Sequence, residues 1–407
     1  MGLRPPDRTA HDERVALLDR AQESAARKAY PGVRLVVGPA GSGKTLVLVH
    51  QSAFLAGSRV AKRILYLCFN TSLVNHVRRL IAAKGLPTAA AVDVVPIFDL
   101  CERLLKDPIP HERESREFYD FVIESALSLG DLGDENHYDA VLVDEGQDFD
   151  TGMLQVAMRC LKAKSGVMTV ALDEAQDLYN RNRDWAKLGI ATKGKAVTQL
   201  KECYRATREL TGFAIRFVRA ETESMKEEST SELPSHLQGM LFSVPPPTRG
   251  PLPEFRKFTS LDEMIAWMAR KIRKMYSTGE LSLSEIGVVY ASKRYPASSR
   301  DVLLPEAIGK AFDRAGIMSR WVAEDHRARR SHDSTTDSVA INTIHSAKGL
   351  DHACVFLIGL DELEPAPNRS LEIVNRTAYV GLTRARYQLF IPYMQENSLI
   401  RKLFESV

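Results

Sequence analysis

Two rhythms of apolar positions alternate along this chain. Short apolar-rich runs at residues 34–37, 64–69, 92–95, 138–143 and 167–172 read as strands, the unbroken one at 64–69 as a buried strand, and a strand-length stretch follows at 197–200. Between them, apolar residues recur at helical spacing. Val15, Leu18, Ala21 and Ala25 form one such set, Leu73, Val77 and Leu80 another, and residues 97–105 a third. Residues 221–253 shift to Glu, Ser, Thr and Pro, with Pro245, Pro246 and Pro247 in a row, and predict a connector rather than a packed element. The rhythm then resumes, with helices expected at 261–275 and 304–315 and strands at 286–290, 340–344 and 354–358. Strands alternating with helices predict an α/β fold on parallel sheets. At 407 residues the chain exceeds what one core normally supports, so two or more domains are expected.

The break after the first strand carries chemistry. Gly38-Pro39-Ala40-Gly41-Ser42-Gly43-Lys44-Thr45 spells a phosphate-binding loop. Its glycines let the backbone turn so that consecutive amides and the next helix N-terminus face a triphosphate. Lys44 would reach the terminal phosphates, and the Thr45 hydroxyl would ligate Mg²⁺. An ordinary glycine-rich turn has the same spelling, but the strand before and the helix after favour the nucleotide. The run at 138–143 ends in Asp144-Glu145-Gly146-Gln147-Asp148. Carboxylates at the carboxyl end of a strand stand where parallel sheets bind ligands. Asp144 is placed for the Mg²⁺ shell and Glu145 to orient and deprotonate an attacking water. Gln22 shortly precedes the loop; an amide that donates and accepts at once could read an adenine edge, the plainer alternative being an exposed helix glutamine.

Composition narrows the rest. A net charge of only +3 means that any nucleic-acid surface must be a local basic groove rather than a global field. The five cysteines (Cys68, Cys101, Cys160, Cys203, Cys354) show no metal-ligand spacing, which leaves buried reduced thiols as the expectation. The polar N-terminal stretch and the lack of any apolar run near the ~20 residues of a membrane span predict a cytoplasmic protein without membrane contact.

Further motifs complete a pattern: Leu67 to Leu73, Asp173 to Tyr179, Tyr204-Arg205, Thr343 to Asp351 and Tyr379 to Arg386. Together with the loop and DEGQD, in this order, TIHSAKGLD and YVGLTRAR make the chain resemble the superfamily 1 helicases of the UvrD/Rep type, from about residue 18 to 391. The resemblance implies two tandem RecA-like domains, 1–200 and 201–407, each a parallel sheet flanked by helices. ATP would lie in the cleft between them and single-stranded DNA across their top. By similarity Tyr204 would stack on adenine, and Gln176, Arg205 and Arg384 would contact the γ-phosphate, with Gly349 and Asp351 also at the nucleotide. Phe69, Asn70, Phe98, Tyr179, Arg181, Thr343 and His345 match positions that hold the single strand. Stacking tolerates any sequence, and only contacts to the 2′-OH distinguish RNA from DNA.

The chain also departs from the family. Pro96 stands where a DNA-contacting histidine is usual, Arg181 where an aromatic residue often is, and Asp351 where glutamate is usual. Only about 40 residues separate Phe98 from Tyr138, and 17 separate Trp321 from Val339, where relatives insert accessory domains. The expectation is a compact motor: an ATP-dependent, Mg²⁺-using 3′ to 5′ translocase or helicase on single-stranded or tailed DNA. The alternative is an ATPase subunit that regulates a partner such as a nuclease.

Overall fold

A computed structural model describes residues 18–69, 71–85, 91–106, 116–173, 184–228, 248–297, 300–321, 337–367 and 369–407. The chain divides into two compact units, with the break between Leu200 and Lys201. The first unit contains α1 (Arg20–Ala26), β1 (Gly32–Val37), α2 (Lys44–Gly57), β2 (Arg63–Cys68), α3 (Thr71–Ala83) and β3 (Ala91–Pro96). It continues with α4 (Ile97–Leu105), α5 (Arg116–Ser128), β4 (Ala140–Val143), α6 (Thr151–Arg159), β5 (Val167–Leu172) and β6 (Val197–Gln199). Its sheet runs β3-β2-β4-β5-β1-β6, with every pairing parallel.

The unbroken apolar strands arise because the sheet is covered twice. Leu65, Leu67, Val141, Val143 and Val170 join one core with Leu100, Ile123 and Met153 of α4, α5 and α6. Their sequence neighbours Ile64, Tyr66, Ala140, Leu142 and Ala171 join the other with Val47, Leu48, Leu73 and Val77 of α2 and α3. Side chains alternate along a strand, so each run feeds both layers. All five cysteines are buried, and none is in a disulfide. Burial pushes the Cys101 thiol up to about 12 and the Cys160 thiol up to about 11, which keeps both neutral.

The second unit holds α7 (Arg208–Glu228), β7 (Glu254–Lys257), α8 (Leu261–Ser277), β8 (Ile286–Tyr290), the antiparallel pair β9 (Arg294–Ala297) and β10 (Arg300–Leu303), and α9 (Leu304–Arg314). Then come β11 (Ser319–Trp321), β12 (Val339–Thr343), β13 (His352–Ile358), α10 (Leu371–Leu382), β14 (Ala385–Tyr393) and α11 (Ser398–Glu405). The order is β11-β12-β8-β13-β14-β7, again parallel throughout. Trp267 and Met268 of α8 and Ile308 and Phe312 of α9 cover Val288, Phe356 and Phe390 on one face. On the other, α10 lies so close that a Cβ on Gly381 would come 2.8 Å from Leu357 Cδ1. Each unit is thus a parallel sheet flanked by helices, as tandem RecA-like α/β domains require.

The connector expected from residue 221 is corrected at its start. Helix α7 continues to Glu228, because Leu210, Phe213 and Phe217 anchor its buried face and the Glu, Met and Lys that follow are good helix formers. Residues 229–247 of that connector, and 322–336 of the short polar loop, lie outside the described residues.

Gly287 of β8 shows how tightly the second sheet is built. A Cβ there would meet the His352 ring at 2.4 Å. Gly287→Ala should therefore destabilise the protein by about 1–3 kcal/mol, the usual cost of overpacking, as read from urea denaturation monitored by circular dichroism.

Candidate functional site

With both faces of the first sheet buried, the candidate polar groups stand at strand ends, whereas Arg34 is a buried charge within β1. The carboxyl ends of β1, β2, β4 and β5 deliver the loop 38–45, Phe69, Asp144-Glu145 and Asp173. Gly41 (φ 78°) and Gly43 (φ 83°) take the left-handed conformation, which costs a residue with a Cβ and not glycine. Gly43 caps α2 without a side-chain acceptor, so the first-turn amides that a helix cannot satisfy internally carry no side-chain cap. Gly38 serves close approach instead: a Cβ would lie 2.8 Å from the Leu200 carbonyl oxygen and 2.6 Å from Ser42 Oγ. Ser42 Oγ is itself buried without a hydrogen-bond partner. Ala40 lies in the turn between them.

Lys44 is folded back onto this loop. Its Nζ donates to the carbonyls of Gly38 (2.8 Å) and Pro39 (2.9 Å) and lies 3.7 Å from Asp173 Oδ2. Gln22 is buried against the loop from α1. Its Nε2 donates to the Ser42 carbonyl at 2.9 Å, while its Oε1 accepts from the Asp19 amide at 3.0 Å in a capping box. The amide that could read a base edge thus braces the phosphate loop.

Asp144 is only 1% exposed. Its carboxylate accepts from Tyr66 Oη (2.9 Å), from the Glu145 amide (2.9 Å) and from the Thr45 side chain. Burial first, and the Glu145 charge second, push the Asp144 carboxyl up to about 6 in spite of these donors. A threonine hydroxyl in contact with one carboxylate is a hard-oxygen pair of the kind Mg²⁺ takes, the remainder of its shell being water and phosphate. These residues fit the ion. Glu145 follows in the left-handed region at φ 52°, unusual for a residue with a Cβ.

Phe69 and Phe98 enter an aromatic cluster rather than standing apart. Phe69 lies 6.2 Å from both Phe98 and Phe149, edge to face, and Phe98 lies 4.4 Å from Tyr119 of α5. Both remain half-buried. Asn70, Gln176, Tyr179 and Arg181 lie outside the described residues.

In the second unit, the Tyr204 ring is 43% exposed, its hydroxyl donating to Glu202 at 2.5 Å. Arg205 Nε pairs with Asp351 Oδ2 at 2.7 Å, and Arg386 Nε lies 3.6 Å from the other Asp351 oxygen. Arg384 is 1% exposed, and its guanidinium donates to the carbonyls of Val380 (2.8 Å) and Leu350 (3.2 Å) and to Thr383 Oγ1 (3.0 Å). Thr343 ends β12, its hydroxyl accepting from the Ser346 amide at 2.9 Å. His345 is exposed beside it, and Gly349 turns the same loop at φ 80°.

Residues 322–396 match the family described as the UvrD-like helicase C-terminal domain. Over 62 residues the chain is 42% identical to the ATP-dependent DNA helicase Rep of Buchnera aphidicola subsp. Schizaphis graminum, which covers 14% of this chain and 9% of Rep. Over 74 residues it is 40% identical to the ATP-dependent DNA helicase PcrA of Bacillus subtilis, covering 17% of this chain and 10% of PcrA. Over these stretches the chain is similar to helicases of the UvrD/Rep type. It is also 36% identical over 83 residues to the RecBCD enzyme subunit RecB of Chlamydia pneumoniae, covering 20% of this chain and 7% of RecB. The matched stretches thus span a tenth or less of these relatives' own lengths.

Tyr66, Gln147, Asp173 and Arg386 touch the candidate residues without having been given a role from sequence. Gln147, Asp173 and Arg386 lay within motifs, Asp173 also as a carboxylate at a strand's carboxyl end, whereas Tyr66 gave no signal. Among the described residues no group of three or more His, Cys, Asp or Glu could hold a metal, so a metal here must rely on few protein ligands.

The raised carboxyl of Asp144 has a consequence for stability. Its folded value lies above that of the unfolded chain, so the folded state takes up a proton as pH falls through about 6, and the cost of burying the charge is fully present only above that. In Mg²⁺-free, nucleotide-free buffer, Asp144→Asn should be more stable than the parent by about 1–3 kcal/mol at pH 8, with the difference shrinking as pH falls from 6 to 4. Urea midpoints measured across that range check it.

Proposed function

We propose that this chain is an ATP-dependent translocase on single-stranded DNA, of 3′ to 5′ polarity, acting as a DNA helicase or as the motor of one. The observation that carries this reading is the Thr45–Asp144 contact beside Lys44 and Glu145 at one sheet edge. Kinship with proteins named as ATP-dependent DNA helicases supports it.

In this reading Lys44 exchanges the Gly38 and Pro39 carbonyls for phosphate oxygens, and the uncapped amides of α2 take the rest of that charge. Thr45 and Asp144 would hold Mg²⁺, which neutralises charge on the phosphoryl oxygens when bound. Glu145 accepts the proton of the attacking water. Arg205 and Arg384, with Gln176, add donors to the γ-phosphoryl group, where a planar guanidinium matches spread charge. Tyr204 stacks on the adenine, Gln22 reads its edge, and Gly349 and Asp351 border the nucleotide. Phe69, Phe98, Tyr179 and Arg181 offer flat faces to bases, and Asn70, Thr343 and His345 offer polar contacts.

A second reading, an ATPase subunit that gates a partner such as a nuclease, is favoured by the short segments where relatives carry accessory domains and by the likeness to a protein named as an enzyme subunit. Strand separation on a 3′-tailed duplex by the isolated protein distinguishes the two, because the partner-gating subunit would hydrolyse ATP without unwinding.

Purified protein should hydrolyse ATP faster with single-stranded DNA than without. Glu145→Gln should keep nucleotide binding while slowing turnover by about 10² or more, within the usual range for general-base assistance. Near-normal turnover in that variant would refute the assignment of the base.

A further inference from the structure

Gln147 is fully buried in the turn after β4 and has no part in the chemistry above. Its Nε2 donates to Glu145 Oε2, and its Oε1 accepts from the Asp173 backbone amide at 2.9 Å. Asp173 in turn sets its carboxylate 3.7 Å from Lys44 Nζ. One side-chain amide therefore joins the proposed base, at the end of β4, to the neighbour of the phosphate-binding lysine, at the end of β5. Between Glu145 and Gln147 the turn has no slack, since a Cβ on Gly146 would meet Val170 Cγ1 at 2.4 Å and the Ala171 carbonyl at 3.1 Å.

Only a side chain that donates at one end and accepts at the other can make this link. A glutamate there would present a second negative charge to Glu145, and an apolar residue would remove this hydrogen bond from the carboxylate. Glu145 starts from a left-handed backbone that does not by itself fix where its carboxylate points. We infer that Gln147 is a positioning residue for Glu145: it holds one carboxylate oxygen, turns the other toward the water, and ties that orientation to Asp173 beside Lys44. The inference rests on Glu145 being the base, as proposed above.

The test is a double-mutant cycle on DNA-stimulated ATP turnover. Gln147→Met, similar in length but apolar, should lower kcat about 10- to 100-fold while KM for ATP stays within about threefold, the signature of an effect on the reacting step. In the Glu145→Gln background the same change should cost less than about twofold, because the group it positions is already lost. Gln147→Glu, which keeps the length and shape of the side chain but replaces its donor with an acceptor and stands in should the Met variant lose its thermal transition, should fall at least as far in kcat. Unchanged kcat in either variant, or equal fold losses in both backgrounds, would overturn the inference and leave Gln147 a structural amide. Normal turnover in Glu145→Gln alone would instead sink the proposed base, an outcome visible before the cycle is closed.

Discussion

Everything chemical in the first unit depends on a sheet that is dry on both faces. A charge within a strand loses its water, as Arg34 of β1 does, and the candidate polar groups collect instead where the strands end and the backbone turns. Four strands of one parallel sheet end side by side at the same edge, and the loop, the aromatic cluster and three carboxylates come together without any single segment specifying the site. The same apolar runs that make the fold legible therefore decide where its chemistry can be.

That arrangement has a thermodynamic cost concentrated in two adjacent residues. Asp144 is buried as a carboxylate with three donors around it, and these do not fully compensate for the lost water, which is why its proton affinity stays high. Glu145 takes a backbone conformation that residues with a Cβ avoid. Neither choice benefits the fold, and both make sense if a cation and a phosphate are to share the site. Lys44 illustrates the opposite device: its ammonium rests on two neutral carbonyls and one carboxylate at a looser distance, so an incoming phosphate displaces mostly uncharged partners.

How much of this was legible from sequence follows from which signals are local. Strands β2, β5 and β8 were found nearly to the residue, because burial on both faces writes an unbroken apolar run. Strands β7, β9, β10 and β11 were missed: each is three or four residues long and carries charged side chains, and β7 and β11 are the edges of their sheet, so neither length nor composition marks them. Helix α10 and strand β14 were hidden for another reason, since YVGLTRAR was read as a motif and not as the helix end and strand start it also forms. In the site, Lys44, Thr45, Asp144 and Glu145 could be named from spacing. Tyr66 and Gln147 could not, since each matters only through a partner on another strand or turn.

The second unit reverses the logic of the first. There the candidate phosphate contacts are cations, Arg205 and Arg384, and each already has acceptors around it. Asp351, a methylene shorter than the usual glutamate, gives one oxygen to Arg205 and turns the other toward Arg386, while Arg384 is enclosed by carbonyls of α10 and of the loop after β12. On the proposed reading these arginines are unequal in how readily a phosphate could claim them. Arg205 would exchange one anion for another of higher charge at a partly exposed pair, a small change in free energy because the guanidinium stays paired throughout. Arg384 would have to give up several acceptors and its burial together, so nothing less than a multiply charged group held at close range offsets the loss. On that reading a diphosphate offers neither arginine the γ-phosphoryl group, and the two differ in how much each must give up to reach it.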